Sequence, residues 1–185
     1  MISHIHAVAL LSLFAIEAAP AQGRVVPNLT VCQALQNRLA YDRKTVVVIG
    51  RLTRTMEGTW LKQECSNPLV TQGYQWRNLI SIGHEDPDEG IAAPPSLKGF
   101  SWNMQSLRAE LIEVKKTTAL DSPFDGRYGD SWAAVFGRFE TRRSFKFVRF
   151  PGELVGDGFG HLNWAAAQLV TLRDGILTLT GAETR

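Results

Sequence analysis

The chain has few of the features that identify a chemical function. It contains only two cysteines and four histidines among 185 residues, and two thiols with no nearby His or Cys make too few ligands for a metal site. No serine lies in a Gly-x-Ser-x-Gly elbow. Beyond the N-terminus, no stretch approaches the roughly 20 apolar residues that a membrane-spanning helix needs. We expect no metal, no cofactor and no membrane span in the mature chain.

The chain also has little excess charge of either sign. Lys and Arg together number 20 and Asp and Glu 18, which gives a formal net charge of +2. So small an excess points to no class of partner. Hydrophobic residues make up 44% of the chain, enough for one well-buried core at this length. We therefore expect a single domain.

Residues 1–21 contain no Lys or Arg, carry an apolar run from Ala7 to Phe14, and end in the small-x-small pattern of Ala19 and Ala21. This pattern is typical of a secretory signal peptide, although its n-region lacks the usual basic residue. We predict cleavage after residue 21 and a mature domain over 22–185 that is periplasmic or secreted. Loss of Glu17 would raise the net charge to +3.

The two cysteines, Cys32 and Cys65, both lie in the mature part. An even number of cysteines in an exported chain favours one disulfide. Two separate buried thiols are the alternative. If the disulfide forms without strain, a loop of this length stabilises the fold by about 3–4 kcal/mol in the chain-entropy model.

Hydrophobic periodicity and turn residues divide the mature chain into two helices and five strands. Thr30 and Gln33 have the spacing of a capping box at the start of the first helix. Thr45 to Ile49 is an almost continuous β-branched run, typical of a strand that is covered on both faces. The predicted helices span about 31–39 and 102–116, and the predicted strands span 45–54, 59–65, 78–83, 132–142 and 164–180, the last with a turn at 173–175.

Two of these strands share one sequence motif, an apolar run followed by glycine and arginine, which is centred on Gly50 in one strand and on Gly137 in the other. Glycine weakens a strand unless the backbone bulges, coils or turns there. We interpret the two glycines as bends at which partner strands close a barrel. The order of elements is that of the OB barrel. The predicted fold is mainly β, a five-stranded OB-fold-like barrel with a short N-terminal helix and a helix between strands three and four.

The spacing of Leu39, Tyr41, Lys44 and the residues up to Gly50, together with segments 135–141 and 158–163, resembles one group of proteins. These are exported bacterial OB-fold-like proteins of unassigned function, of the tRNA-anti-like or bacterial OB-fold type. The resemblance covers most of the mature chain. It implies a fold and a compartment, and it brings no catalytic residues.

In OB barrels the usual ligand face is formed by strands two and three with the loops between strands one and two and between strands four and five. Fold analogy alone therefore selects the candidate ligand-binding residues. Near the two strands these are Trp60, Lys62 and Trp76, and in the last loop they are Phe147, Arg149 and His161.

Two charged segments admit two interpretations each. Residues 138–150 interleave basic residues with aromatics, which suits stacking on bases or sugars together with contact to an anionic backbone. The segment also suits a hairpin with Phe packed inward and Arg and Lys in water, which is the interpretation we favour. Residues 84–89 are acidic, and they could hold a cation or form a solvated loop; the run is too short for an EF-hand.

The leading hypothesis is a non-enzymatic, monomeric binding or interaction module of the cell envelope. Its partner would be a protein, a peptide or a glycan, and export disfavours nucleic acid. One alternative is a small exported hydrolase that uses His161 with an acidic partner. The other is a purely structural envelope protein.

Mass spectrometry of the protein recovered after export tests both the compartment and the cysteine pairing. We expect a chain that begins near Gln22 and is lighter by two hydrogens than the dithiol form. An intact Met1, or two thiols that alkylate in the native oxidised protein, would contradict the predicted export.

Overall fold

The computed structural model describes residues 26–84, 92–117, 131–151 and 153–179. The predicted signal segment, the acidic residues 85–89 and the turn at 121–130 lie outside the described residues. Over the described ranges, no helix has the length and apolarity that crossing a bilayer would require.

The described elements follow the predicted order with several additions. The helices are α1 (Val31–Gln36), α2 (Arg38–Tyr41) and α3 (Met104–Thr117), with 3-10 turns at His161–Asn163 and Arg173–Gly175. The strands are β1 (Asn28–Thr30), β2 (Thr45–Thr55), β3 (Gly58–Lys62), β4 (Val70–Thr71), β5 (Tyr74–Gln75), β6 (Leu79–Gly83), β7 (Ser131–Thr141), β8 (Phe147–Phe150), β9 (Glu153–Gly156), β10 (Ala167–Val170) and β11 (Ile176–Leu179).

Five strands close a barrel in the order β2, β3, β6, β10, β7 and back to β2. The β6–β10 pair is parallel, and the other four pairs are antiparallel. The helix α3 lies between the third and fourth barrel strands in the chain. The predicted fold class, an OB-fold-like five-stranded barrel, is therefore confirmed.

Strand β2 is covered on both faces, as its continuous apolar run predicts. Val46 and Val48 point into the barrel and belong to the main core. Val47 and Ile49 point outward and pack with the buried Leu107 of α3 in a second core cluster. Alternate residues of a strand face opposite sides, so a run that is apolar throughout serves two cores at once.

The helix α1 lies against one end of the barrel. Its capping box is confirmed: the Gln33 amide donates to Thr30 Oγ1 at 3.1 Å, and the Thr30 amide donates to Gln33 Oε1 at 2.8 Å. Val31 and Leu35 are buried in the main core. The predicted disulfide is also confirmed, because Cys32 is bonded to Cys65 with a Cα–Cα distance of 5.6 Å. It ties α1 to the segment that follows β3.

The structure differs from the sequence prediction mainly after β7. The segment between the predicted strands 132–142 and 164–180, which the sequence predicts as a loop with a hairpin as the alternative for its first part, contains the hairpin of β8 and β9. The hairpin packs on Trp76, an aromatic contact between residues about 70 positions apart that no local pattern announces. The last strand is split, as predicted, into β10 and β11, which both pair with β7.

Gly50 and Gly137 lie on the inner side of the β2–β7 pair, in register with Ala133 and Val46. A Cβ added at Gly50 would lie 2.8 Å from Val31 Cγ2, and one added at Gly137 would lie 2.9 Å from the Val170 carbonyl oxygen. Neither glycine has a positive φ. Because neither residue has a Cβ, another element can approach the strand backbone closely at each position.

Replacing Gly50 or Gly137 by Val should destabilise the protein by about 1–3 kcal/mol each, because overpacked sites must shift backbone or side chains. Urea unfolding followed by tryptophan fluorescence measures the change. Thr178→Val, at an exposed position of β11, is the matched control and should shift the midpoint little. Unchanged midpoints for both glycine variants would count against the packed closure.

Candidate functional site

The six predicted ligand-binding residues fall into two neighbouring groups. Trp60, Lys62 and His161 lie on the outer face of β3 and β6, whereas Trp76, Phe147 and Arg149 lie on the β8–β9 side. Gly158 lies between the groups, because a Cβ there would meet both Trp76 and the Ala165 carbonyl.

Trp164 organises the first group. Its ring centroid lies 6.2 Å from that of Trp60 and 6.1 Å from that of His161. The guanidinium carbon of Arg77 lies 3.8 Å from the same ring centroid. We call this set the Trp164 surface, and its members are Trp60, Lys62, Arg77, His161 and Trp164.

Trp60 is the buried member of the Trp164 surface. Its side chain is on the outer face of β3, opposite Leu61 in the core, and yet it is only 3% exposed. The chain from Gly158 to Ala165 covers it, held by two backbone hydrogen bonds between Phe159 and Ala165 of 2.7 and 3.2 Å. At Trp60, the face that OB barrels usually offer to a ligand is therefore occupied by the protein's own backbone.

Arg77 is the exposed cation of the surface. Stacking on Trp164 holds a guanidinium flat and leaves its N–H edge free to donate. No carboxylate among the described residues lies within ion-pair distance of Arg77. A guanidinium matches a carboxylate or phosphate through two parallel hydrogen bonds.

Lys62 and His161 are the other polar members of the Trp164 surface. Lys62 is two positions from Trp60 on the same strand face, opposite Leu79 of β6, and it is half-buried. His161 is exposed and meets the edge of Trp164. Within the described ranges, no hydrogen bond or ion pair joins His161 to a carboxylate, so the acid–base pair required by the hydrolase hypothesis is not found there.

The second group is built around Trp76. This side chain is 1% exposed, and its Nε1 donates to Thr71 Oγ1 at 2.6 Å. Phe145 and Phe147 pack against it, with centroids 4.3 and 6.0 Å away. The inward interpretation of the basic and aromatic segment is therefore the one that the structure adopts, because Phe145 is buried while Lys146 and Arg149 face solvent.

A buried arginine holds the start of that segment. Arg38 of α2 donates to the carbonyl oxygens of Arg142 and Arg143 and lies 5.0 Å from the Phe145 ring centroid. Desolvation by burial lowers the pKa of Arg38, and nearby Asp42 opposes this shift. Arg38 thus positions the chain between β7 and β8.

Sequence reasoning did not select Arg77 and Trp164, whose contact centres the Trp164 surface. They are 87 positions apart in the chain: Arg77 precedes β6, and Trp164 precedes β10. The parallel pairing of β6 with β10 brings them together. A tryptophan next to His161 was the available signal, but nothing in the local sequence pairs it with Arg77.

The described part of the chain contains no group of three or more His, Cys, Asp or Glu placed to hold a metal ion. No protein-family model matches the chain, and neither a curated protein nor a solved structure matches it. Function is therefore argued from the geometry of the Trp164 surface.

Gly158→Ala tests how the covering segment is held. The new Cβ would meet the carbonyl oxygens of Asn163 and Ala165 and would lie 2.7 Å from Trp76 Cζ3. We expect a loss of about 1–3 kcal/mol in unfolding free energy and a change in tryptophan emission as the segment moves. Ser144→Ala, in an exposed turn, should change neither.

Proposed function

We propose that this chain is an exported, monomeric, non-catalytic OB-fold-like module that binds a carboxylate-bearing ligand of the cell envelope at the Trp164 surface. The observation that carries the proposal is the Arg77 guanidinium, stacked 3.8 Å from the Trp164 ring centroid with no carboxylate partner among the described residues. The OB barrel supplies a rigid base for this arrangement.

Arginine is well suited to this recognition because the stacked guanidinium is already oriented. Less side-chain entropy is lost when its two N–H groups engage an acid. A hydrogen bond to a charged group contributes about 1.5–3 kcal/mol. Lys62 increases the local positive potential, which favours an anion over a neutral ligand.

The geometry favours recognition of an acid over stacking of a neutral sugar. Trp60 is buried beneath the segment 158–165, and Arg77 covers one face of Trp164. A pyranose ring needs an open aromatic face, whereas a carboxylate needs donors at an exposed edge. The Trp164 surface offers the donors.

The disulfide supports the exported compartment, because such bonds persist in oxidising environments and are rare in the cytosol. The signal-like segment 1–21 and the resemblance to exported OB-fold-like proteins point the same way. In that compartment, carboxylates are presented by acidic peptides and by uronic-acid glycans, and nucleic acid is disfavoured as the ligand.

Titration of the isotope-labelled protein with two carboxylate probes, an oligogalacturonate and an oligoglutamate, tests the proposal. We expect at least one probe to shift the Trp164 indole N–H and Arg77 Nε–H signals. Arg77→Gln should weaken that binding about tenfold or more, since it removes a charge-assisted pair.

Arg54→Gln is the matched control, because Arg54 is an exposed arginine of β2 outside the Trp164 surface. It should leave the titration unchanged. If both variants lose affinity equally, or if neither probe shifts the Trp164 signals, the proposed binding at the Trp164 surface is contradicted. That result would favour the alternative of a purely structural envelope protein.

A further inference from the structure

The backbone turns sharply beside Trp164, and it does so at a leucine. Leu162 has φ 54° and ψ 20°, inside the left-handed region, and Asn163 follows with φ 55°. Left-handed backbone is tolerated by Gly and Asn but crowds the Cβ of other residues. Leucine is therefore an unfavourable choice for this position.

Nothing in the packing of Leu162 compensates for this strain. The side chain is 58% exposed, so it gains little from burial, and it has no polar atom with which to bond the backbone. Strained residues of this kind are found where the surroundings impose them for function. The turn keeps an apolar side chain in water two residues before Trp164, the residue on which Arg77 stacks.

We infer that Leu162 is an anchor for a peptide ligand that presents an apolar side chain next to a carboxylate. This inference rests on the proposed function and narrows its ligand class. Leu162 would bury its side chain against the apolar group while Arg77 binds the acid.

The spacing suits a short peptide. Leu162 and Trp164 are two residues apart, so their Cα atoms lie within about 7 Å, and Arg77 stacks on Trp164. An extended peptide covers about 10 Å with three residues. We therefore expect the ligand to carry one acidic and one apolar side chain a few positions apart.

A peptide fits these features better than a uronic-acid glycan does. Both can supply the carboxylate, but a glycan carries no hydrocarbon side chain with which to cover a leucine. Burying apolar surface favours association, so the exposed Leu162 would add affinity only for a ligand with an apolar group.

The experiment is a selection of peptides from a phage-displayed random library on the purified chain, followed by calorimetry with a synthetic copy of the selected sequence. Selected peptides should combine Asp or Glu with Leu, Ile or Phe. Leu162→Asn should weaken the selected peptide about tenfold and raise the Tm by about 2–4 °C, because Asn relieves the left-handed strain.

That pair of opposite changes separates binding from packing, since a structural leucine would lower the Tm when removed. Met56→Asn, at a fully exposed apolar position of the β2–β3 turn, is the control and should leave peptide affinity unchanged. The inference is overturned if Leu162→Asn leaves the affinity of the peptide intact or lowers the Tm, or if the library yields no binder.

The proposed function can survive that failure. Binding of oligogalacturonate that depends on Arg77 and is indifferent to Leu162 would retain the acid site and exclude the peptide anchor. If the binding of every probe is independent of Arg77, both the acid site and the peptide anchor are overturned.

Discussion

The antiparallel pairing of β2 with β7 is the contact on which the rest of the molecule depends. Eight residue pairs, from Thr45 with Arg138 to Leu52 with Ser131, close the barrel. Closure leaves none of the five barrel strands with an open side along its whole length. It also fixes where β3, β6 and β10 lie, and those strands carry the Trp164 surface.

Close backbone approach follows from that closure. At Gly50 the strand admits Val31 of α1, and at Gly137 it admits the end of β10. The same device recurs outside the barrel, where Gly158 lies against Trp76 and Gly160 lies against Trp60. Bare Cα atoms thus allow the segment after β9 to lie flat on the outer face of β3 and β6.

The covering segment changes what the barrel can bind. In an OB barrel this face usually receives the ligand, but here the segment 158–165 covers Trp60. The accessible side chains are therefore those of Trp164, Arg77 and Leu162, which lie farther from the barrel than Trp60. Fold analogy selected Trp60 and Trp76 as ligand-binding residues, and the structure buries both side chains; whether this region binds a ligand stays a prediction.

The sequence by itself determined the five barrel strands and the helices, because helix caps, apolar periodicity and glycine-centred strands are local. Thr30 with Gln33, the run Thr45–Ile49 and the cysteine pair all predicted what is found. Only the tertiary structure decided the site, because Arg77 and Trp164 meet through a parallel pairing of strands that are distant in the chain. The backbone angle of Leu162 was likewise beyond prediction, since the surrounding fold imposes a conformation that leucine does not itself favour.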